Sequence, residues 1–391
     1  MTPKSATPAP LSWSGVTARR MARHALTEPA TDLGPAEVAG VLCGAHAQVG
    51  SAAEFSIGRR IAGATRADVQ RALWEDRTLV KTFGPRGTVH LLPAADLPMW
   101  TGALSALPSS VPAHPEPVRF SAEQADEVLA AIGEALADSE LTVDELTEQI
   151  VNRTGRWAGE RTMEAFQDRW PRWRQLTSTA AHRGLLCFGP NRGPKVTYTN
   201  PHRWLPGFRP DDGGVALRTL LMRYLYAYGP ATPQHFARWL SIPPQRAVEL
   251  FDELAGELEQ VEVDGAPGWT MDDDTSTPSQ PHRGIRLLGY FDAFVVASQP
   301  RERLYSGPAA TRGLTPTGQA GNYPVLLVDG VVGGVWHQRR AGRKLAITVE
   351  PLGELTATQR RQLDDEVELV GAVMEATPTL TVGTVTVGPH A

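Results

Sequence analysis

The chain is short of cysteine, short of lysine, and without any long apolar run. Its 391 residues contain two cysteines, Cys43 and Cys187. That count excludes a disulfide-built scaffold and a zinc site made of cysteines, and it suits a reducing cytoplasm. Lysine occurs only as Lys4, Lys81, Lys195 and Lys344, so arginine carries the positive charge. No segment approaches the ~20 apolar residues that cross a bilayer, so no membrane partner is expected. The first residues hold no basic stretch leading into an apolar core, so no signal peptide is read. A phosphate-cradling loop, a dinucleotide fingerprint and an H-E-x-x-H metal motif are all missing. These absences predict a cytoplasmic protein that needs neither cofactor nor metal.

What is present is ordinary globular composition, 41% apolar and 21% charged. A chain of this length exceeds one core and predicts roughly two to four compact units. The net charge of −5 argues mildly against nucleic acid as a partner. Its distribution argues the other way. Residues 150–204 hold ten basic against three acidic side chains, and residues 301–345 hold seven against two. Residues 245–280 hold one against ten, so the acidity is concentrated there. Binding follows where charge sits, not its sum.

Residues 1–12 are small, polar and proline-rich, and read as a loose tail. Thereafter one grammar appears three times: helices, then two short strands around a Gly/Pro turn. That is the winged form of helix-turn-helix. The first unit is placed at 13–104, with helix starts at Pro35, at a Ser51–Glu54 capping box and at Thr65–Asp68. Its wing is Leu79–Phe83 and Thr88–Leu92 around Gly84-Pro-Arg86-Gly87. The second unit, 119–206, has capping boxes at Ser121–Gln124 and Thr142–Glu145, a helix over 171–182 and a wing at 185–199. The third, 214–276, has an apolar helix ended by Gly229, a helix capped by Thr232, and a wing over 258–271. Asp272 to Pro281 reads as a linker. The last part, 285–391, carries strand runs, an Asp329-Gly330 hairpin turn and one helix from Thr356 to Glu375. The predicted fold is therefore α+β: three tandem winged-helix units, then a small C-terminal β-barrel with one packed helix.

The residues of greatest chemical interest are His46-Ala47-Gln48, between one helix end and the next helix start. In an extended link, side chains two apart point the same way, so His46 and Gln48 would share one pocket with Ala47 behind them. Alternatively, both satisfy backbone groups at a helix junction.

The run Leu42-Cys-Gly-Ala-His46-Ala-Gln48-Val resembles the catalytic motif of the AlkZ/YcaQ-type winged-helix DNA glycosylases: Gln, an apolar residue, then Gln or Asp. Thr82-Phe-Gly-Pro-Arg86-Gly-Thr-Val-His90-Leu is similar to that family's first wing. Leu287-Leu-Gly-Tyr-Phe291-Asp292 and Val328-Asp-Gly-Val-Val-Gly-Gly-Val-Trp336 look like its barrel signatures. The resemblance runs from about residue 12 to 375. It implies metal-free excision of N7- or N3-alkylated purines, and in some members the unhooking of crosslinks. Gln48 matches the motif's second position and would position water. His46 stands where the family has Gln, and would share that role.

The chemistry suits these side chains. An N7-alkylated guanine is already cationic and leaves without an acid. The protein must hold the lesion, stabilise an oxocarbenium-like sugar and aim one water. Neutral Gln orients water, whereas neutral imidazole, with a reference pKa of ~6.5, can also take its proton. The expected partner is double-stranded DNA carrying alkylated guanine, bound by a monomer associated with the nucleoid. Expected DNA contacts are Arg86, Arg172, Arg174, Arg183, Arg192, Arg303, Arg312, Arg339 and Arg340. Trp170 and Trp173 are read as core, His90 as a hydrogen-bonded strand histidine, and 301–318 as a groove-probing hairpin or a surface loop. The competing class is a non-catalytic winged-helix regulator, which the fold alone would favour. Three wings, an appended barrel and a polar pair outside any recognition helix favour the enzyme.

Overall fold

A computed structural model describes residues 10–107, 115–164 and 169–388. Most of the expected tail, residues 1–9, lies outside them. The chain divides into two compact units. One comprises Met1–Arg71, Leu221–Trp239 and Pro243–Ala391; the other comprises Ala72–Leu220 and Leu240–Ile242. Both mix helix and sheet.

In the first unit, Ser12 caps the helix Trp13–Arg23 by accepting the Gly15 N–H at 3.2 Å. Just before it, Pro10–Leu11 pairs in parallel with Glu262–Val263. The segment 10–12 is thus part of a sheet and a helix cap, not a loose tail. The hairpin Leu258–Val263 with Ala266–Met271 forms where the sequence placed it. The stretch from Asp272 to Pro281 is irregular, yet Asp274 is tied back to the first helix. Arg23 pairs with its carboxylate and Arg19 donates to its carbonyl at 2.7 Å.

The C-terminal strands Ile285–Leu288, Val325–Val328, Val331–Ala341, Lys344–Pro351 and Thr377–Val382 form one sheet in that order. The first three junctions are antiparallel. The last is parallel, with the helix Ala357–Val373 as its crossover. Asp329 and Gly330 turn the second junction at φ 52° and 85°, as a two-residue hairpin requires. The helix lays Leu363, Val367, Val370 and Val373 on Leu287, Trp336, Ile347 and Val349, which closes an apolar core. The packed helix was expected; the barrel was not reached. Closure would need the first and last strands to pair, and among the described residues they lie at opposite edges.

The second unit begins from well-marked helix starts. Ser121 and Thr142 form full capping boxes with Gln124 and Glu145 ahead of the helices Ala122–Leu136 and Val143–Thr154. Two hairpins stand where expected: Leu79–Phe83 with Val89–Pro93, and Cys187–Arg192 with Lys195–Thr199. A third, Arg161–Glu164 with Arg169–Pro171, gave no sequence signal. Trp173 is fully buried in the core of this unit, and its indole N–H donates to Thr147 Oγ1 at 2.9 Å. Trp170 is 44% exposed, contrary to its reading as core. It sits on a two-stranded ribbon where its indole covers the Arg174 guanidinium, 3.9 Å from the ring centre.

Candidate active site

The helix Pro35–Val41 starts with proline at its first position and Glu37 reaching back to the Gly34 N–H at 3.1 Å. It ends at Leu42, after which Cys43 and Gly44 take left-handed backbone at φ 51° and 95°. Their N–H groups close onto Gly40 and Ala39 carbonyls at 3.0 and 2.8 Å, the usual helix stop. The Tyr228 hydroxyl donates to the Leu42 carbonyl at 2.7 Å and fixes this corner. The chain then runs extended as Ala45–His46 and enters the helix Gly50–Gly58. That helix starts one residue before Ser51, with Val49 at its cap and no capping side chain. The expected Ser51–Glu54 box does not form. Glu54 is drawn instead to Arg66 at 2.9 Å and to Gln70 at 2.8 Å.

His46 is 8% exposed, Ala47 is buried and Gln48 is exposed. The His46 ring packs on Phe291, 4.6 Å between centroids and tilted by 32°. Phe291 precedes Asp292, whose carboxylate takes both a bidentate pair from Arg60, at 2.7 and 2.9 Å, and the Ser56 hydroxyl at 2.7 Å. Burial pushes the Asp292 carboxyl up, but the Arg60 guanidinium outweighs it and holds the group below its usual range. In the sequence Asp292 stands out only as the last residue of the Leu287–Asp292 run that looks like a barrel signature of the family. Its carboxylate also caps the helix Ala293–Ala297 through the Phe294 N–H at 3.0 Å. Arg60 went unnoticed; its one signal is a second consecutive arginine just past the end of the helix Gly50–Gly58. Among the described residues, no group of three or more His, Cys, Asp or Glu is placed to hold a metal ion. None of their helices is long and apolar enough to cross a membrane.

The family model described as "DNA glycosylase AlkZ-like" matches residues 39–373, which includes the whole of this junction. The chain belongs to the AlkZ-like DNA glycosylase family. It is 33% identical over 336 residues to the Streptomyces sahachiroi protein named "Interstrand DNA cross-link repair glycosylase", covering 83% of this chain and 87% of that one. It also superposes on the structure of Streptomyces sahachiroi DNA glycosylase AlkZ with a TM-score of 0.80 and 28% identity, over 96% of this chain and 100% of that one. These relatives are enzymes, so this chain is a DNA glycosylase, and the regulator reading loses its ground.

The arginines of this AlkZ-like chain divide by how they are held. Arg86 is half-buried, in left-handed backbone at φ 61° inside the turn of the first hairpin. Arg172, an expected DNA contact, is half-buried: it donates to the Val118 and Arg119 carbonyls at 2.9 and 2.6 Å and covers the Phe120 ring at 4.6 Å. Arg174 is likewise half-buried, beneath Trp170. Arg183 and Arg192 are exposed, beside Asp126 at 3.4 Å and Glu145 at 3.0 Å. Arg303 is exposed near the Trp13 ring. Arg312 is clamped by Glu350 through two 3.0 Å bonds and also donates to the Val385 carbonyl. It lies on the helix Pro308–Gly313, which follows the helix Arg301–Leu304, so no groove-probing hairpin forms there. Arg339 and Arg340 are exposed near the end of Val331–Ala341, and Arg340 closes onto the Met374 carbonyl at 2.7 Å. His90 is buried and its Nδ1 lies 2.8 Å from the Thr88 carbonyl, the structural role expected. A cavity of about 690 Å³ beside Leu355, Arg360, Leu363 and Val382 includes none of the predicted catalytic or DNA-contacting residues.

Proposed function

We propose that the chain is a monofunctional glycosylase that hydrolyses the N-glycosidic bond of N7-alkylated guanine in duplex DNA. Its best substrates are bulky, natural-product-derived adducts, and it serves repair or self-resistance. One observation carries this reading: His46 is held in an extended junction with Gln48 two residues on, inside the span matched to the family. In the reaction, the N9–C1′ bond breaks and its electron pair neutralises the cationic purine. Water oxygen bonds to C1′ and its proton passes to the His46 imidazole, while Gln48 holds the water by hydrogen bonding. Protonated His46 would repel the developing sugar cation, so activity falls toward acid.

The name of the Streptomyces relative supports extending this to interstrand crosslinks, each unhooked by excising one tethered guanine. The three helix-plus-hairpin segments at 13–104, 119–206 and 214–276 are proposed as winged helices ahead of a separate segment at 285–391. Arg86, Arg183, Arg192, Arg303, Arg339 and Arg340 are proposed as phosphate contacts, with Arg172, Arg174 and Arg312 bracing them from part-buried positions. The protein acts as a monomer on nucleoid DNA in the cytoplasm.

The test is base release from duplexes carrying N7-methylguanine or, separately, a bulky N7-guanine adduct, with His46→Ala and Gln48→Ala beside the wild type. A loss of about tenfold or more in either variant, with binding retained, places the chemistry at this junction. Intact DNA in every lane would end the N7-guanine reading.

A further inference from the structure

Side chains from the helix that follows the His46–Gln48 junction return to His46 by a closed chain of contacts. Ser56 lies within Gly50–Gly58, and Arg60 just beyond it. Both grip the Asp292 carboxylate, and the three side chains are buried at 3%, 0% and 1% exposure. Arg60 is itself pinned, donating to the His24 carbonyl at 3.0 Å and to the Ser56 carbonyl. Phe291, the neighbour of Asp292, has left-handed backbone at φ 53°, a conformation a bulky side chain keeps only when its surroundings impose it. The Phe291 ring then meets the His46 ring at 4.6 Å. Gly321, at φ 109°, also borders the Phe291 ring, and a Cβ there would come to 2.5 Å from Phe291 Cδ1. Glycine at 321 is what lets the ring occupy its place.

We infer that Phe291 is a positioning residue: its ring sets the plane of the His46 imidazole, and the Arg60–Asp292–Ser56 cluster sets Phe291. This rests on the proposed role of His46. An imidazole turns easily about its terminal torsion, so a hydrolytic water can be aimed only if something fixes the ring. A tilted aromatic neighbour does so without adding charge beside a developing cation. The buried ion cluster acts at one remove, by holding the loop that carries the ring.

The experiment is single-turnover base release from duplex DNA carrying N7-methylguanine, followed across pH, with affinity measured in parallel. Phe291→Ala is expected to slow release about tenfold while leaving affinity within about twofold, and Phe291→Tyr to recover most of the rate. Gly321→Ala, whose added Cβ would collide with the ring, slows release with the Phe291 side chain itself unchanged. The deciding comparison is a double-mutant cycle: Phe291→Ala adds no further loss in a His46→Ala background. The same loss in both backgrounds overturns the inference, because Phe291 then acts independently of His46. The pH profile gives a second readout. Phe291→Ala displaces the acidic limb, whereas an undisplaced limb at a lower rate marks a merely structural ring and overturns the inference too. If His46→Ala slows release but Phe291→Ala does not, positioning fails while the role of His46 stands. If His46→Ala has full activity, the proposed chemistry fails first.

Discussion

The two units bury different things. The core of the second unit is hydrocarbon and aromatic: Val128, Leu129, Ile132, Leu146, Ile150 and Trp173 pack without a charge among them. Its arginines ride outside on ring faces, as Arg172 does on Phe120 and Arg174 on Trp170. The first unit buries ionised groups outright. Arg60 and Asp292 have no exposed side-chain surface, and Arg59 meets Glu366 at 3.1 Å nearly as deep. Arg20 donates to the Gly229, Pro230 and Gln299 carbonyls; burial lowers its pKa to about 10, which leaves it charged at neutral pH. Such pairs are poor evidence of stability, because desolvation offsets most of their attraction. What they supply is fixed geometry, and here they lie in the unit that holds His46.

The largest effect that would break this comparison is at Asp292. Asp292→Ala leaves Arg60 charged, buried and unpaired, and should lower stability by about 3–5 kcal/mol in denaturant unfolding. The pair Arg60→Met with Asp292→Leu should recover much of that loss, yet not the rate of base release. Full activity in the double variant would mean that the ions serve stability alone. In the second unit, Trp173→Phe removes a hydrogen bond to Thr147 and leaves a void, for about 1–3 kcal/mol. This variant should unfold earlier while keeping its rate at low temperature. A slower rate there would show that the apolar core also sets the chemistry.

Local features were the legible part of the sequence. The capping boxes at Ser121 and Thr142, the Thr232 cap and the Asp329-Gly330 turn each depend on residues within three positions of one another. The Ser51 box failed because long-range partners outbid the local bond for Glu54. Trp170 was misread because its zone alternates arginine with aromatics, and composition cannot say which face of a ribbon is wet. At the site, the His46–Gln48 junction could be found from spacing and resemblance. The Arg60–Asp292 pair joins residues 232 apart, and no periodicity reports that. The open sheet was missed for a related reason: strand content is local, but closure depends on which edges meet.

Acid should sharpen the contrast. Burial, with repulsion from Arg60, lowers the His24 pKa to about 3, and burial lowers His235 to about 4. In the second unit, burial lowers His182 to about 4. All three are neutral when folded at pH values where the unfolded chain is protonated. Their contribution is therefore full above the unfolded value of ~6.5 and is lost as pH falls toward the folded values, by up to about 1.4 kcal/mol per pH unit per group. Asp292, held low, adds a loss of the same sign at lower pH. Hydrogen exchange between about pH 6.5 and 5 should then show the first unit losing protection more steeply than the second. Equal slopes would mean that the histidines open locally before either core does.

The smallest effect is the control for all of these. Thr142 in the second unit and Thr356 in the first form the same capping box. Thr142 Oγ1 accepts the Glu145 N–H at 3.4 Å, and Thr356 Oγ1 accepts the Gln359 N–H at 3.2 Å. In each case the partner side chain reaches back to the threonine N–H, at 2.7 and 3.0 Å, and that bond survives substitution. Thr→Ala should therefore cost only about 0.5–1 kcal/mol at either site, with Thr142 at the upper end because its hydroxyl also donates to Glu145 Oε2 at 2.9 Å. A cap is a local device and does not sense what the core beneath it buries. Losses in this range, measured as midpoint shifts in denaturant, would confine the difference between the units to their interiors. A loss at Thr356 several times that at Thr142 would instead show that the charged unit is fragile throughout, and that the cost of Asp292→Ala belongs to the unit rather than to the pair.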